Sequence, residues 1–143
     1  MIGDYTINRD YPKNPLFGVS SLIIKNNKVL IVKRSSKPEI WSLPGGLVEL
    51  GETQRSAAIR EAREETNINI KIIKFLENLD IIIKDEKNQI KKHYILAVFS
   101  GEYINGNIIA GDDALDAKWL PIQDIKNIDM TNGTDQFIMK YSK

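Results

Sequence analysis

The sequence predicts an α/β fold in which helices pack on a mixed β-sheet. Short runs rich in β-branched and aromatic residues, FGVSSLIIK, VLIVK and HYILAVFS, surround one stretch of strong helix formers. Their order along the chain is strands, helix, strands, helices. The chain has 143 residues, 42% of them hydrophobic and 27% charged, with no repeat, low-complexity block or Pro/Gly/Ser linker. That size suits a single domain spanning 1–143 with a sizeable core.

Taken in order, Phe17 to Lys25 reads as a strand and Asn26-Asn27 as a turn. Val29 to Lys33 then returns as the second arm of a hairpin. Trp41 to Leu43 forms a short strand that ends at a Pro44-Gly45-Gly46 break. A helix runs from Thr53, a suitable N-cap, to about Thr66, with Asn67 as its stop. The isoleucine-rich segment Ile68 to Ile83 forms one or two strands, and Lys84 to Gln89 a charged turn. His93 to Ser100 and Ala117 to Leu120 are further strands. Pro121 to Lys126 reads as a helix start with proline in its first turn, and a final helix lies around Thr134 to Tyr141.

Composition excludes several function classes. No apolar run approaches the roughly 20 residues that span a bilayer, so no membrane partner is predicted. The start, MIGDYTINRDYPKNP, is polar and carries no secretory h-region. There is no cysteine, which removes disulfides, thiolate zinc sites and cysteine nucleophiles. Together these features predict a cytoplasmic protein. With 20 basic against 19 acidic residues and a formal net charge of +1, the chain lacks the basic excess of a polynucleotide binder.

Chemistry concentrates in residues 60–65, REAREE. Glu61, Glu64 and Glu65 stand at i, i+3 and i+4 and share one helix face. Like charges at such spacing weaken a helix by roughly 0.2–0.5 kcal/mol per pair. Taken alone, REAREE reads best as a wet surface laced by the Arg60–Glu64 i,i+4 pair. The preceding residues reverse that reading. Gly46 is followed after five residues by Glu52, and after seven more by Arg60-Glu61.

This pattern resembles the signature of the Nudix hydrolases, a loop–helix–loop written G-x5-E-x7-R-E-U-x-E-E-x-G-U with U a bulky apolar residue. Gly46, Glu52, Arg60, Glu61, Glu64, Glu65 and Ile68 match it. Ala62 is smaller than the usual aliphatic, and Asn67 replaces the glycine. Asparagine tolerates positive φ better than other non-glycine residues, so a left-handed turn survives that change. The resemblance extends through YPKNP, VKR, W-SLPGG-VELGET, HYILAVF and AGDDALDAKWLP. It is greatest to the small bacterial and archaeal members grouped as ADP-ribose pyrophosphatases.

The resemblance implies a Nudix-type α/β/α sandwich carrying the catalytic loop–helix–loop, and a hydrolase dependent on Mg²⁺, with Mn²⁺ as a substitute. Glu61 and Glu65 would be metal ligands, and Glu64 would ligate directly or through water. Glu52 would complete the acidic site, the Gly46 carbonyl would add a ligand, and Arg60 would orient the glutamates. The implied substrate is a small nucleotide, best taken as ADP-ribose, cut to AMP and ribose 5-phosphate. A nucleoside triphosphate pyrophosphohydrolase and a non-catalytic nucleotide sensor are the alternatives. The family likeness also favours a homodimer. Such carboxylates can hold an ion that neutralises a pyrophosphate and acidifies a bound water.

Outside the signature, the resemblance also implies a further carboxylate on the loop before the Trp119 strand, a metal ligand or a base, for which Asp112 or Asp113 is the candidate, with Asp116 a weaker choice. The alternative is a solvated loop whose Asp caps a turn. Lys33 and Arg34 end a strand beside the signature and are candidates for substrate phosphates, or simply strand-end charges in water. Trp41 either packs beneath the Pro44-Gly45-Gly46 loop or stacks on a base. Trp119 reads as core. Phe17, Tyr94 and Tyr103 fit either base stacking or packing, and His93, the sole histidine, reads as structural.

Overall fold

The computed structural model describes residues 9–143. Residues 1–8, which make up half of the polar start read as lacking a secretory signal, lie outside the described residues. Strand β1 (Leu16–Lys25) turns at Asn26 and Asn27 into β2 (Lys28–Ser36). Both turn residues have positive φ, 51° and 62°, which suits the tight turn that right-twisted hairpins prefer. Strand β3 (Glu39–Ser42) is followed by β4 (Gly45–Leu47).

Strand β4 corrects the expectation of a break at Pro44-Gly45-Gly46. Gly45 and Gly46 pair with Ser20 and Val19 of β1. A Cβ on Gly45 would lie 2.1 Å from the Val19 carbonyl oxygen, so the two backbones approach as only glycine permits.

Helix α1 (Gln54–Thr66) begins and ends where the sequence predicts. The Thr53 side chain accepts from the Ser56 amide, and Asn67 takes the left-handed conformation at φ 65°. Next come β5 (Asn69–Lys84) and β6 (Ile90–Asn105), each 16 residues long. The isoleucine-rich segment is therefore one strand, and β6 extends beyond both ends of the predicted His93–Ser100. Strand β7 (Asp116–Pro121) leads into a 3₁₀ helix (Ile122–Asn127), and α2 (Thr134–Tyr141) closes the described chain. Pro121 ends β7 instead of opening an α-helix.

The main strand order is β3-β2-β1-β6-β5, with β4 also paired to β1 and β7 to β2. Strands β1 and β6 run parallel from Leu16↔Tyr94 to Ile23↔Gly101, while the other strand pairings are antiparallel, so the sheet is mixed. Helix α1 covers one face, setting Ala57 and Ala58 on Val19, Ala97 and Phe99, and Ala62 among Ile23, Leu30, Ile68 and Ile70. Phe137, Ile138 and Ile125 cover the other face over Val29, Ile31, Trp41 and Leu120. The result is an α/β/α sandwich. Strand β2 is buried on both faces, which explains its unbroken apolar run VLIV. Among the described residues, no helix is long and apolar enough to cross a membrane.

Candidate active site

The site forms where the C-terminal half of α1 meets β4 and the loop before β7. The turn before α1 carries Gly51 at φ 86° and closes with the Glu52 amide donating to the Glu49 carbonyl. The Glu49 amide donates to Glu52 Oε1 at 3.0 Å, which fixes that carboxylate.

Arg60 gathers the glutamates. Its Nε and Nη2 donate to Glu52 Oε2 and Oε1 at 2.7 and 2.8 Å. Its Nη1 donates to Glu64 Oε1 at 2.9 Å and to Glu61 Oε1, while Nη2 also reaches the Leu47 carbonyl. One guanidinium thus hydrogen-bonds three carboxylates and ties the turn to α1. Glu52 in return holds the Arg60 guanidinium well above its ordinary pKa.

The carboxylates differ in burial, and their acidities follow. Hydrogen bonds from Arg60 lower the pKa of Glu52. Glu61 is 3% exposed, and burial raises its pKa despite the same arginine. Glu65 is 1% exposed, and burial pushes it up to about 7 against the opposing pull of Arg34. Glu61 lies directly over β4: a Cβ on Gly46 would fall 2.1 Å from Glu61 Oε2.

The loop at 106–115 docks on the open end of α1. The Ile109 amide donates to the Thr66 carbonyl and the Gly111 amide to the Glu65 carbonyl, capping groups a helix terminus leaves free. Gly111 is close enough that a Cβ would meet the Glu64 carbonyl oxygen at 2.7 Å. Asp112 follows at φ 55°, a left-handed conformation that turns the chain beside the helix. Burial, then the charges of Asp113 and Glu64, raise its pKa.

Among the described residues, Glu61, Glu64 and Asp112 each offer an oxygen within 4.8 Å of the others. A donor set made only of carboxylate oxygens, three carboxyl groups against the single guanidinium of Arg60, fits a hard divalent ion such as Mg²⁺ or Mn²⁺. Of the two aspartates left open by the sequence, Asp112 joins this group. Asp113 is exposed, with Oδ1 at 4.0 Å from Arg34 Nη1. Asp116 accepts from the Ala117 amide.

Glu65 faces a different partner. Arg34 Nη1 donates to Glu65 Oε2 at 2.5 Å, and Nη2 to Oε1 at 3.2 Å. The Gly45 amide donates to Oε1 at 3.0 Å. Arg34 also donates to Ser42 Oγ and to the Leu43 and Gly45 carbonyls. The Arg34–Glu65 pair went unread in the sequence because 31 residues separate its partners.

Lys33 does not join Arg34. Successive strand residues point to opposite faces, and the Lys33 ammonium is directed to Glu39 at 3.9 Å and to the Trp41 ring at 5.9 Å. Trp41 is 2% exposed, packs in the core and donates its indole N–H to Glu39, so packing is the reading its burial supports. Trp119 stacks edge-on with Tyr103 and is partly buried against the cluster under α1. Phe17 is exposed, and Tyr94 and His93 are half-buried on β6.

A model of the NUDIX domain matches residues 15–141. An ADP-ribose pyrophosphatase of Methanocaldococcus jannaschii is 34% identical over 117 residues, which are 80% of this chain and 67% of that protein. A putative 8-oxo-dGTP diphosphatase of Bacillus subtilis is 32% identical over 67% of this chain and 59% of its own length. Among solved structures, a bifunctional NMN adenylyltransferase/ADP ribose pyrophosphatase of Francisella tularensis, complexed with AMP and a manganese ion, superposes with a TM-score of 0.67. It is 32% identical over 90% of this chain, and the chain spans 41% of it.

Proposed function

This chain belongs to the Nudix hydrolase family, whose members act on phosphoanhydride bonds, and on that premise we propose that it is a Mg²⁺-dependent ADP-ribose pyrophosphatase. The products are AMP and ribose 5-phosphate, and Mn²⁺ substitutes for Mg²⁺. The observation that carries the reading is the convergence of Glu61, Glu64 and Asp112 oxygens within 4.8 Å beside an arginine already bonded to Glu52, Glu61 and Glu64. The named activities of the archaeal relative and of the Francisella structure support ADP-ribose over other nucleotides.

Glu61, Glu64 and Asp112 would hold the divalent ion, with the Gly46 carbonyl and Glu65 as further candidate donors. When bound, such an ion would neutralise pyrophosphate charge and lower the pKa of a bound water. Arg60 fixes the glutamates in one geometry, so little reorganisation is needed when substrate arrives. Asp113, exposed and next in sequence to Asp112, is the candidate for the base that accepts the proton of the attacking water. Arg34 is the candidate for the substrate phosphates. The whole chain acts as a single catalytic domain. Pairing of two copies is supported by β5, a 16-residue edge strand that exposes Ile73, Phe75, Ile82 and Ile83.

A substrate panel with product identification tests the assignment. ADP-ribose should give AMP and ribose 5-phosphate at the highest kcat/KM. Preferential release of pyrophosphate from a nucleoside triphosphate would instead favour the activity named for the Bacillus relative.

A further inference from the structure

Arg34 and Glu65 hold each other in a two-bond pair that engages both carboxylate oxygens. All three guanidinium nitrogens have acceptors: Nε on Ser42, Nη1 on Glu65, and Nη2 on Glu65 and two backbone carbonyls. Glu65 in turn takes two bonds from Arg34 and one from the Gly45 amide, and is 1% exposed. Yet Glu65 sits one helical turn beyond Glu61, whose oxygens help form the carboxylate cluster. Arg34 Nη1 also has a second acidic neighbour, Asp113, at 4.0 Å.

We propose that Arg34 is the resident counter-ion of the metal-free site, competing with the divalent cation for Glu65 and so setting the affinity of the site for metal. The inference rests on the metal-site reading of Glu61, Glu64 and Asp112 given above. Two positive charges cannot share one buried carboxylate without mutual repulsion in a region of low dielectric. Loading the cluster therefore weakens the Arg34–Glu65 pair. The guanidinium keeps its anchors on Ser42, Leu43 and Gly45, while Nη1 becomes free to turn toward Asp113 or an incoming phosphate. Arg34 is thus a positioning residue that acts through Glu65. A metal-independent scaffold would have the opposite signature, because loss of Arg34 would leave Glu65 misplaced and metal binding weaker.

The test is a double-mutant cycle on Mn²⁺ affinity, measured without substrate by calorimetry and by the paramagnetic resonance signal of free Mn²⁺. Arg34→Gln should tighten binding roughly fivefold or more. In the Glu65→Gln background the same change should alter affinity little. Unchanged or weaker binding in Arg34→Gln would overturn the proposal. Equal tightening in both backgrounds would also overturn it, because Arg34 would then act as a general charge and not through Glu65. Arg34→Lys, which keeps the charge but loses the fork, guards against a folding defect and should bind Mn²⁺ with intermediate affinity. Binding no tighter than wild type in Arg34→Lys would count against the proposal. If the wild type itself bound no Mn²⁺, or if Glu61→Gln bound it as well as wild type, the metal-site reading would fail, a separate outcome from failure of the exchange.

Discussion

Glu61 lies across the backbone of Gly46 with no room between them for a side chain. A Cβ at residue 46 would sit 2.1 Å from Glu61 Oε2 and 2.5 Å from its Cδ. Gly46 does not have positive φ, so the glycine answers to the carboxylate above it and not to backbone strain. Alanine at this position fits the β4 backbone but expels Glu61 from its place. Gly46→Ala should therefore lower kcat by roughly 10²-fold with little change in melting temperature. Steady-state kinetics beside a thermal melt would check it, and near-normal turnover would show that Glu61 is not held there for catalysis.

Arg60 should matter to the fold as well as to the reaction. It is 14% exposed in its side chain and bonded to Glu52, Glu61 and Glu64. Removing it leaves three clustered carboxylates without their counter-ion. Arg60→Ala should cost about 3 kcal/mol of stability in chelator. Saturating Mn²⁺ should restore part of the loss, since a cation can replace the missing charge. Urea unfolding with and without metal reads both effects.

Glu61 gives a pH-dependent signature in the metal-free protein. Its pKa is raised from 4.5 by burial, so the folded state holds the proton more tightly than the unfolded chain. The stability linked to this proton is fully present below pH 4.5 and lost as pH rises through the higher folded value. Glu61→Gln removes that loss. In chelator the variant should melt above wild type near pH 8, with the gap closing near pH 4. Added Mn²⁺ should stabilise wild type more than the variant. A constant gap across pH would contradict the burial argument.

Asp112 and Asp113 are neighbours with different surroundings. Asp112 joins the cluster with Glu61 and Glu64, whereas Asp113 is 61% exposed in its side chain, near Arg34. Asparagine accepts the left-handed conformation Asp112 adopts, so Asp112→Asn should fold normally. It should weaken Mn²⁺ binding on the order of tenfold. Asp113→Asn should leave Mn²⁺ affinity nearly unchanged and act on kcat. The reverse ranking in a metal titration would exchange the two assignments.

Asn67 ends α1 at φ 65°, where the family signature has glycine. Asn67→Gly should be nearly neutral in stability and turnover. Asn67→Ala should cost about 1 kcal/mol, because alanine disfavours that conformation. Thermal melts of the two variants separate a backbone requirement from any effect of the side-chain contact to the Asn107 carbonyl.

The sequence by itself determined whatever depends on neighbours within one turn or one strand. Thr53 and Asn67 mark the ends of α1, and the spacing of Glu61, Glu64 and Glu65 follows from 3.6 residues per turn. The apolar run VLIV marked β2 as a strand. The Gly46 to Glu65 pattern identified the family from a handful of positions. Tertiary structure decided the rest. Strand β4 arises at a Pro-Gly-Gly segment because β1 offers it an edge, a pairing no local propensity encodes. The loop at 106–115 brings Asp112 to the glutamates through amides that cap α1, so the choice between two adjacent aspartates rests on a helix terminus more than forty residues away in sequence. Alternation along β2 could be read from the sequence, but which of Lys33 and Arg34 faces α1 depends on which side of the sheet the helix occupies. Arg34 meets Glu65 only because β2, β4 and α1 are stacked together. Local spacing fixes which charges share a face, and long-range packing fixes what that face meets.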